Sequence, residues 1–187
     1  MATLEPRFET FVEQNLHGLL RIAFLIAWDE NEAEDLVQET LFRLARNWRR
    51  VAAMEYPFAY ARRILVRLAM ADAPKRRRRR DELATTDRNA AVSLEIAAGD
   101  SGLSTLEIRA ELITALGQLN PRQRAVIVLR YFFDLSETET AEAVGCSLGT
   151  VKSNASRGFD QLRQMLEPAD AGSVSDAGSL KPRSAEL

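Results

Sequence analysis

One cysteine and one histidine stand in 187 residues. Cys146 alone cannot close an internal disulfide, and His17 alone leaves no Cys/His cluster at zinc-ligand spacing, so a stapled secreted scaffold and a structural zinc site are both excluded. No stretch approaches the ~20 consecutive apolar residues of a membrane helix, so no membrane insertion is expected. The first residues carry Glu5, Glu9 and Glu13, whereas a secretory leader has a basic cap ahead of an apolar run. The expected location is the cytoplasm. Sustained alternation of apolar and polar residues is also lacking, which removes the signal for half-buried strands. No metal cluster or nucleophile constellation is recognisable, so neither an enzyme nor a cofactor is expected. Gly145 to Ser153 faintly resembles a phosphate loop, but Lys152 does not directly follow the last glycine and no strand precedes it, which leaves nucleotide hydrolysis without support.

What is present is core-forming material: 46% hydrophobic and 28% charged residues exclude disorder throughout the chain. The net charge of −2 conceals strong segregation. Asp29 to Glu39 contains six acids and no base, whereas Lys75 to Arg80 is an uninterrupted basic run. Such opposed patches within one stretch suggest two different partners.

Apolar residues recur every three or four positions nearly throughout, so the fold class is all-α. A first helix is expected over about Pro6 to Ala27, a second over about Glu32 to Trp48, and a third from Pro57, a residue suited to a first helical turn because its missing N–H costs nothing there. Ala73-Pro74 predicts that this third helix stops near Asp72. Between Leu83 and Gly102 the chain turns to Thr, Ser, Asn, Ala, Gly and Asp and reads as a flexible linker. Helix starts then become clear. Ser104 with Glu107 and Ser136 with Glu139 fit the capping box, and Asn120-Pro121 followed by Gln123 is a further start signal. After Pro168 few large apolar residues remain, and a disordered tail is expected. The organisation is thus two small helical domains, 1–82 and 104–167, joined by a linker over 83–103 and followed by a tail over 168–187.

The most specific local signal runs from Leu135 to Ser153. A short helix ends at Gly145, where a glycine takes the left-handed conformation without cost; Ser147 then caps a second helix. The spacing of Ala141, Gly145 and Val151 is that of a helix-turn-helix. On the second helix Val151, Ala155, Gly158, Leu162 and Met165 form the expected buried stripe. Thr150, Ser153, Asn154 and Arg157 occupy the opposite arc, short polar or basic groups able to reach bases and phosphates, at a helix start that itself attracts phosphate. Gly158 is expected to weaken this helix by ~1 kcal/mol. Cys146, in the turn, reads as a small buried hydrophobe rather than a redox sensor.

In the N-terminal half, Val37, Leu41, Leu44 and Trp48 fall on one side of the second helix as core. Asp35, Gln38, Glu39, Phe42 and Arg46 fall on the other. An aromatic ringed by acids suits a protein interface better than phosphate, which the acids repel; the alternative is Phe42 tucked under the N-terminal segment. On the third helix Phe58, Ala61, Ile64, Leu65 and Leu68 point inward. Tyr60, Arg63 and Arg67 share the outside with Arg62 on its flank, a basic face able to hold phosphate and stack on unpaired bases, though a merely solvated helix end stays open.

Three ordered stretches carry a family resemblance: Glu34-Asp35-Leu36-Val37-Gln38-Glu39-Thr40, the helix Tyr60-Ala61-Arg62-Arg63-Ile64-Leu65-Val66 running into the basic cluster, and Leu119-Asn120-Pro121-Arg122-Gln123-Arg124 through the helix-turn-helix. Together they resemble the extracytoplasmic-function group of bacterial sigma-70-type RNA polymerase sigma factors over nearly residues 5–167. The resemblance implies a sigma factor that binds core RNA polymerase and directs it to promoters. It assigns Asp35, Gln38, Glu39 and Phe42 to the polymerase β′ clamp helices. It assigns the loop from Arg49 to Tyr56 and Tyr60, Arg62, Arg63, Arg67, Arg76 and Arg77 to the minus-ten element. Ser147, Thr150, Lys152, Ser153, Asn154 and Arg157 are implied to read the minus-thirty-five element, with the same domain on the polymerase β flap and an anti-sigma protein as regulator. Arg67 stands where the family usually has asparagine. The competing class is a helix-turn-helix repressor or activator that binds DNA without joining the polymerase; it leaves the acidic and basic N-terminal helices without a role.

Overall fold

The computed structural model describes residues 6–82 and 106–166, with side chains over 7–71 and 111–166. Every regular element among these residues is helical. Helix α1 (Pro6–Ala27), α2 (Glu30–Arg46), the single-turn α3 (Trp48–Val51) and α4 (Pro57–Glu82) form the first cluster. The second contains α5 (Leu106–Gln118), α6 (Pro121–Ile127), a π-helical turn (Val128–Phe132), α7 (Glu137–Val144) and α8 (Leu148–Leu166). The linker, the tail and the expected cap at Ser104 lie outside the described residues.

Local chemistry explains most boundaries. Asp29 accepts from the Glu32 amide and starts α2 two residues earlier than the spacing predicts. The Asn120–Gln123 and Ser136–Glu139 capping boxes both form, each side chain accepting from or bonding to the other's backbone N–H. Asn47 interrupts the second helix, so Trp48 opens α3 while remaining buried. The expected stop near Asp72 is overturned: α4 continues through Pro74 to Glu82. An interior proline loses one N–H bond and crowds the carbonyl four residues back, and the helix formers on either side, alanines before and the lysine and arginines after, carry the helix past it. The run Lys75–Arg80 therefore lies on the backbone of α4.

In the first cluster α1, α2 and α4 pack on one another around Leu19, Ile22, Phe24, Leu44, Ala61 and Leu65, all nearly or fully buried. Phe8 meets Trp48 edge-on at 5.0 Å between ring centroids, a favoured aromatic geometry. In the second cluster, α8 crosses α6 and α7. Val151, Gly158 and Leu162 are buried as the stripe predicts, but Met165 is 40% exposed. It lies one turn beyond Leu162, the last buried residue of α8.

The two clusters also meet. Helices α1 and α4 of the first pack on α6, the π turn and α7 of the second, and Ala125, Val128, Leu129, Ala143 and Val144 join the same continuous core as Leu65 and Ala69. Local periodicity does not foretell this contact.

Candidate functional site

Helix α2 turns Leu36, Val37, Thr40 and Leu44 inward, which leaves Asp35, Gln38, Glu39 and Phe42 exposed together. Phe42 is 58% exposed, so it is not tucked under the N-terminal segment. Arg46 stands over its ring at 5.8 Å, and Arg43 pairs with Glu39 at 2.7 Å. The face is thus an exposed aromatic ring in a mixed surround, with Asp35 and Glu39 balanced by Arg43 and Arg46.

On α4, Ala61, Leu65, Val66 and Ala69 are buried. Tyr60 is half-buried against the core rather than fully outside. Arg62 is also half-buried, its guanidinium 5.9 Å over the Phe58 ring. Burial holds Arg62 below the ordinary arginine range, with the opposing attraction of Glu139. Arg63 and Arg67 both turn toward α7: Arg63 pairs with the Glu142 carboxylate, and Arg67 Nη2 donates to the Glu142 carbonyl at 3.4 Å. Tyr56, at the end of the preceding loop, is 68% exposed. The side chains of Arg76 and Arg77 lie outside the described residues.

The helix-turn-helix forms as its spacing requires. Gly145 takes φ 75° and ends α7, its N–H donating to the Ala141 carbonyl at 2.9 Å. Ser147 Oγ accepts from the Thr150 amide at 3.2 Å and starts α8. Ser136 donates to Glu139 from both its hydroxyl and its amide, which holds the Glu139 carboxyl below its ordinary range. Lys152 Nζ lies 3.6 Å from Glu137, tying the second helix to the first. Lys152 and Arg157 are exposed, whereas Thr150, Ser153 and Asn154 are half-buried. Asn154 Nδ2 donates to the Thr150 carbonyl at 2.7 Å. Cys146 is half-buried rather than buried, and that partial burial pushes its thiol up, opposed by Arg122. Gly158 packs close beneath α6: a Cβ there would lie 2.6 Å from Ile127 Cδ1, the end of a side chain that would have to shift.

Three residues that periodicity does not single out lie between the clusters. Arg124 is 2% exposed; its Nε donates to the Ile26 carbonyl at 3.0 Å and its Nη1 to the carbonyls of Gly117 at 3.0 Å and Leu119 at 3.4 Å. Trp28 lies 5.7 Å beneath its guanidinium and seats on Gly117, where an added Cβ would come within 2.4 Å of the indole. The only sequence signal is an arginine directly ahead of the apolar run Ala125 to Leu129. No group of three or more potential metal ligands occurs among the described residues, and none of their helices is long and apolar enough to cross a membrane.

Comparison with known proteins agrees with this two-part layout. Residues 11–80 match the family described as Sigma-70 region 2, and residues 109–162 match Sigma-70, region 4. RNA polymerase sigma-E factor of Streptomyces avermitilis is 35% identical over 163 residues, covering 87% of each chain. ECF RNA polymerase sigma factor SigE of Mycolicibacterium smegmatis is 30% identical over 161 residues, covering 86% of this chain and 62% of its own. Among solved structures, the sigma factor RpoE of Bartonella quintana, in complex with the anti-sigma factor NepR, superposes with a TM-score of 0.60 at 24% identity, over 86% of this chain and 96% of that one. This last likeness is one of fold. With both regions matched in order and full-length relatives of the same kind, the chain belongs to the extracytoplasmic-function group of the sigma-70 family, the sigma factors that direct RNA polymerase to promoters.

Proposed function

We propose that this sigma factor divides its work among three helical faces. Residues 1–82 form the unit that holds core polymerase and the minus-ten element, residues 104–167 form the unit that reads the minus-thirty-five element, and 83–103 link them. Asp35, Gln38, Glu39 and Phe42 on α2 meet the β′ clamp helices. The observation that carries this assignment is Phe42, 58% exposed on the face opposite the core, with Arg46 over its ring and the Glu39–Arg43 pair beside it. An exposed aromatic ring among charges of both signs suits a protein partner.

Tyr60, Arg62, Arg63 and Arg67 on α4, with Arg76 and Arg77 further along it, engage minus-ten DNA through phosphates and unpaired bases. Ser147, Thr150, Lys152, Ser153, Asn154 and Arg157 engage the minus-thirty-five element from the start of α8, the geometry by which a recognition helix enters a major groove. The same unit touches the β flap. An anti-sigma protein regulates the chain in the cytoplasm; the anti-sigma complex of the Bartonella sigma factor supports that reading.

Run-off transcription tests the whole. Core polymerase with this protein should initiate at a defined start, whereas core alone stays silent. A chain that lowers transcription or leaves it unchanged is a DNA-binding regulator instead.

A further inference from the structure

The first helix of the helix-turn-helix is rich in acids. Helix α7 carries Glu137, Glu139 and Glu142 and no base. In a helix-turn-helix the first helix crosses the DNA backbone while the second enters the groove, and a helix N-terminus ordinarily attracts phosphate. Two of these acids stand in the first turn of α7, where the helix dipole favours them but a phosphate would be repelled. Glu139 has a structural task, since its carboxylate closes the capping box on the Ser136 amide and hydroxyl. Glu137 has no part in that cap. Its carboxylate instead reaches across to α8, 3.6 Å from Lys152 Nζ.

That ion pair borders the surface assigned above to the minus-thirty-five element. Four of the six side chains there are neutral and bonded locally: Ser147 Oγ lies 2.9 Å from Thr150 Oγ1, and Ser153 Oγ and Asn154 Nδ2 both donate to the Thr150 carbonyl, at 3.1 and 2.7 Å. The positive charge comes from Lys152 and Arg157, both exposed, and Glu137 offsets one of the two. Side-chain exposure of 67% for Lys152 and 39% for Glu137 marks a surface pair of small worth to folding, which Lys152 is free to leave. We infer, on the reading of α8 given above, that Glu137 is a positioning residue that sets how strongly this surface holds DNA and not which sequence it prefers. It keeps Lys152 on the α7 side in the free chain, and when Lys152 moves to a phosphate the Glu137 carboxylate is left facing that phosphate. Phosphates recur at every step of a duplex, so a cost of this kind carries no sequence information. A helix-dipole role alone would leave DNA binding untouched.

Glutamine keeps the length and the helix propensity of glutamate, so Glu137→Gln removes the charge without endangering the fold. The full-length chain, assembled with core polymerase, is titrated over a series of potassium chloride concentrations against two fluorescent duplexes. One is a promoter selected from a random library, the other the same promoter with its minus-thirty-five segment scrambled. Glu137→Gln should tighten both by roughly threefold at low salt, the size of one like-charge interaction across about 7 Å of water. The slope of log affinity against log salt should steepen by up to about 0.9, one further phosphate contact, and the preference between the duplexes should stay as in the native chain. Lys152→Met should weaken both duplexes and flatten the slope, and adding Glu137→Gln to it should leave the slope there. Unchanged affinity and slope in Glu137→Gln, an altered preference, or a steeper slope without Lys152 would each overturn the inference. If Lys152→Met itself changes neither affinity nor slope, the reading of α8 falls and takes the inference with it. If Lys152→Met weakens binding and Glu137→Gln is silent, that reading stands and the inference falls alone.

Discussion

Gly158 and Ile127 approach so closely that a Cβ on the glycine would lie 2.6 Å from the isoleucine Cδ1. The glycine lets α8 cross α6 at short range, which offsets the helix propensity it forgoes. Gly158→Ala should therefore be close to neutral or destabilising in the native chain. In an Ile127→Val background, where Cδ1 is gone, the same change should stabilise by up to ~1 kcal/mol. Urea denaturation of the four proteins checks this; a coupling well below ~0.5 kcal/mol, the usual error of additivity, counts against it.

Charge reversal at Asp35 and Glu39 should abolish pull-down of core polymerase. Both side chains are exposed, and the Glu39–Arg43 pair is a surface contact of the kind worth ~0–1 kcal/mol. Native-like circular dichroism is therefore expected from the double variant. Unchanged pull-down by a folded variant would remove α2 from the polymerase interface.

Ser136→Ala should cost about 1 kcal/mol at neutral pH, the usual value of an N-cap hydroxyl. The effect also carries a pH signature. Hydrogen bonds from Ser136 lower the folded-state pKa of Glu139, so the stability they add is present above the unfolded carboxyl range and fades as pH falls through the lower folded value. The gap between native and Ser136→Ala proteins should shrink in acid. A gap that widens below pH ~4, under the ordinary glutamate pKa, would contradict the linkage.

Arg157→Ala and Asn154→Ala should change which minus-thirty-five sequences are used, each by ~1–3 kcal/mol of discrimination at one base pair. Asn154 holds the Thr150 carbonyl in the free chain and must release it to present its full amide edge. The exposed Arg157 should accordingly give the larger effect. A randomised promoter library scored with both variants would show it, and unaltered preference in both would move base reading elsewhere.

Where a residue's neighbours in the chain are also its neighbours in space, the sequence was a sufficient guide. The two capping boxes, the left-handed Gly145 and the outward arc of α2 all depend on spacings of three or four residues, and all are present. Pro74 is a local feature whose penalty was outweighed by the helix formers around it. Trp28, Arg124 and the close approach of Ile127 to Gly158 depend instead on helices that cross from distant parts of the chain, for which neither propensity nor periodicity carries information. Arg124 and Ile26 are 98 residues apart. The positions of Arg63 and Arg67 on α4 were legible, but their Glu142 partner was not, because a surface charge gives no sign of what will later lie above it.

The unequal exposure of α2 and α4 bears on the order in which a transcription complex assembles. Phe42 and the mixed charges around it stand exposed, while Arg63 and Arg67 are engaged by Glu142. On the proposed assignment of these two faces, the chain offers its polymerase side open while two arginines of its promoter side already hold an acid of its own.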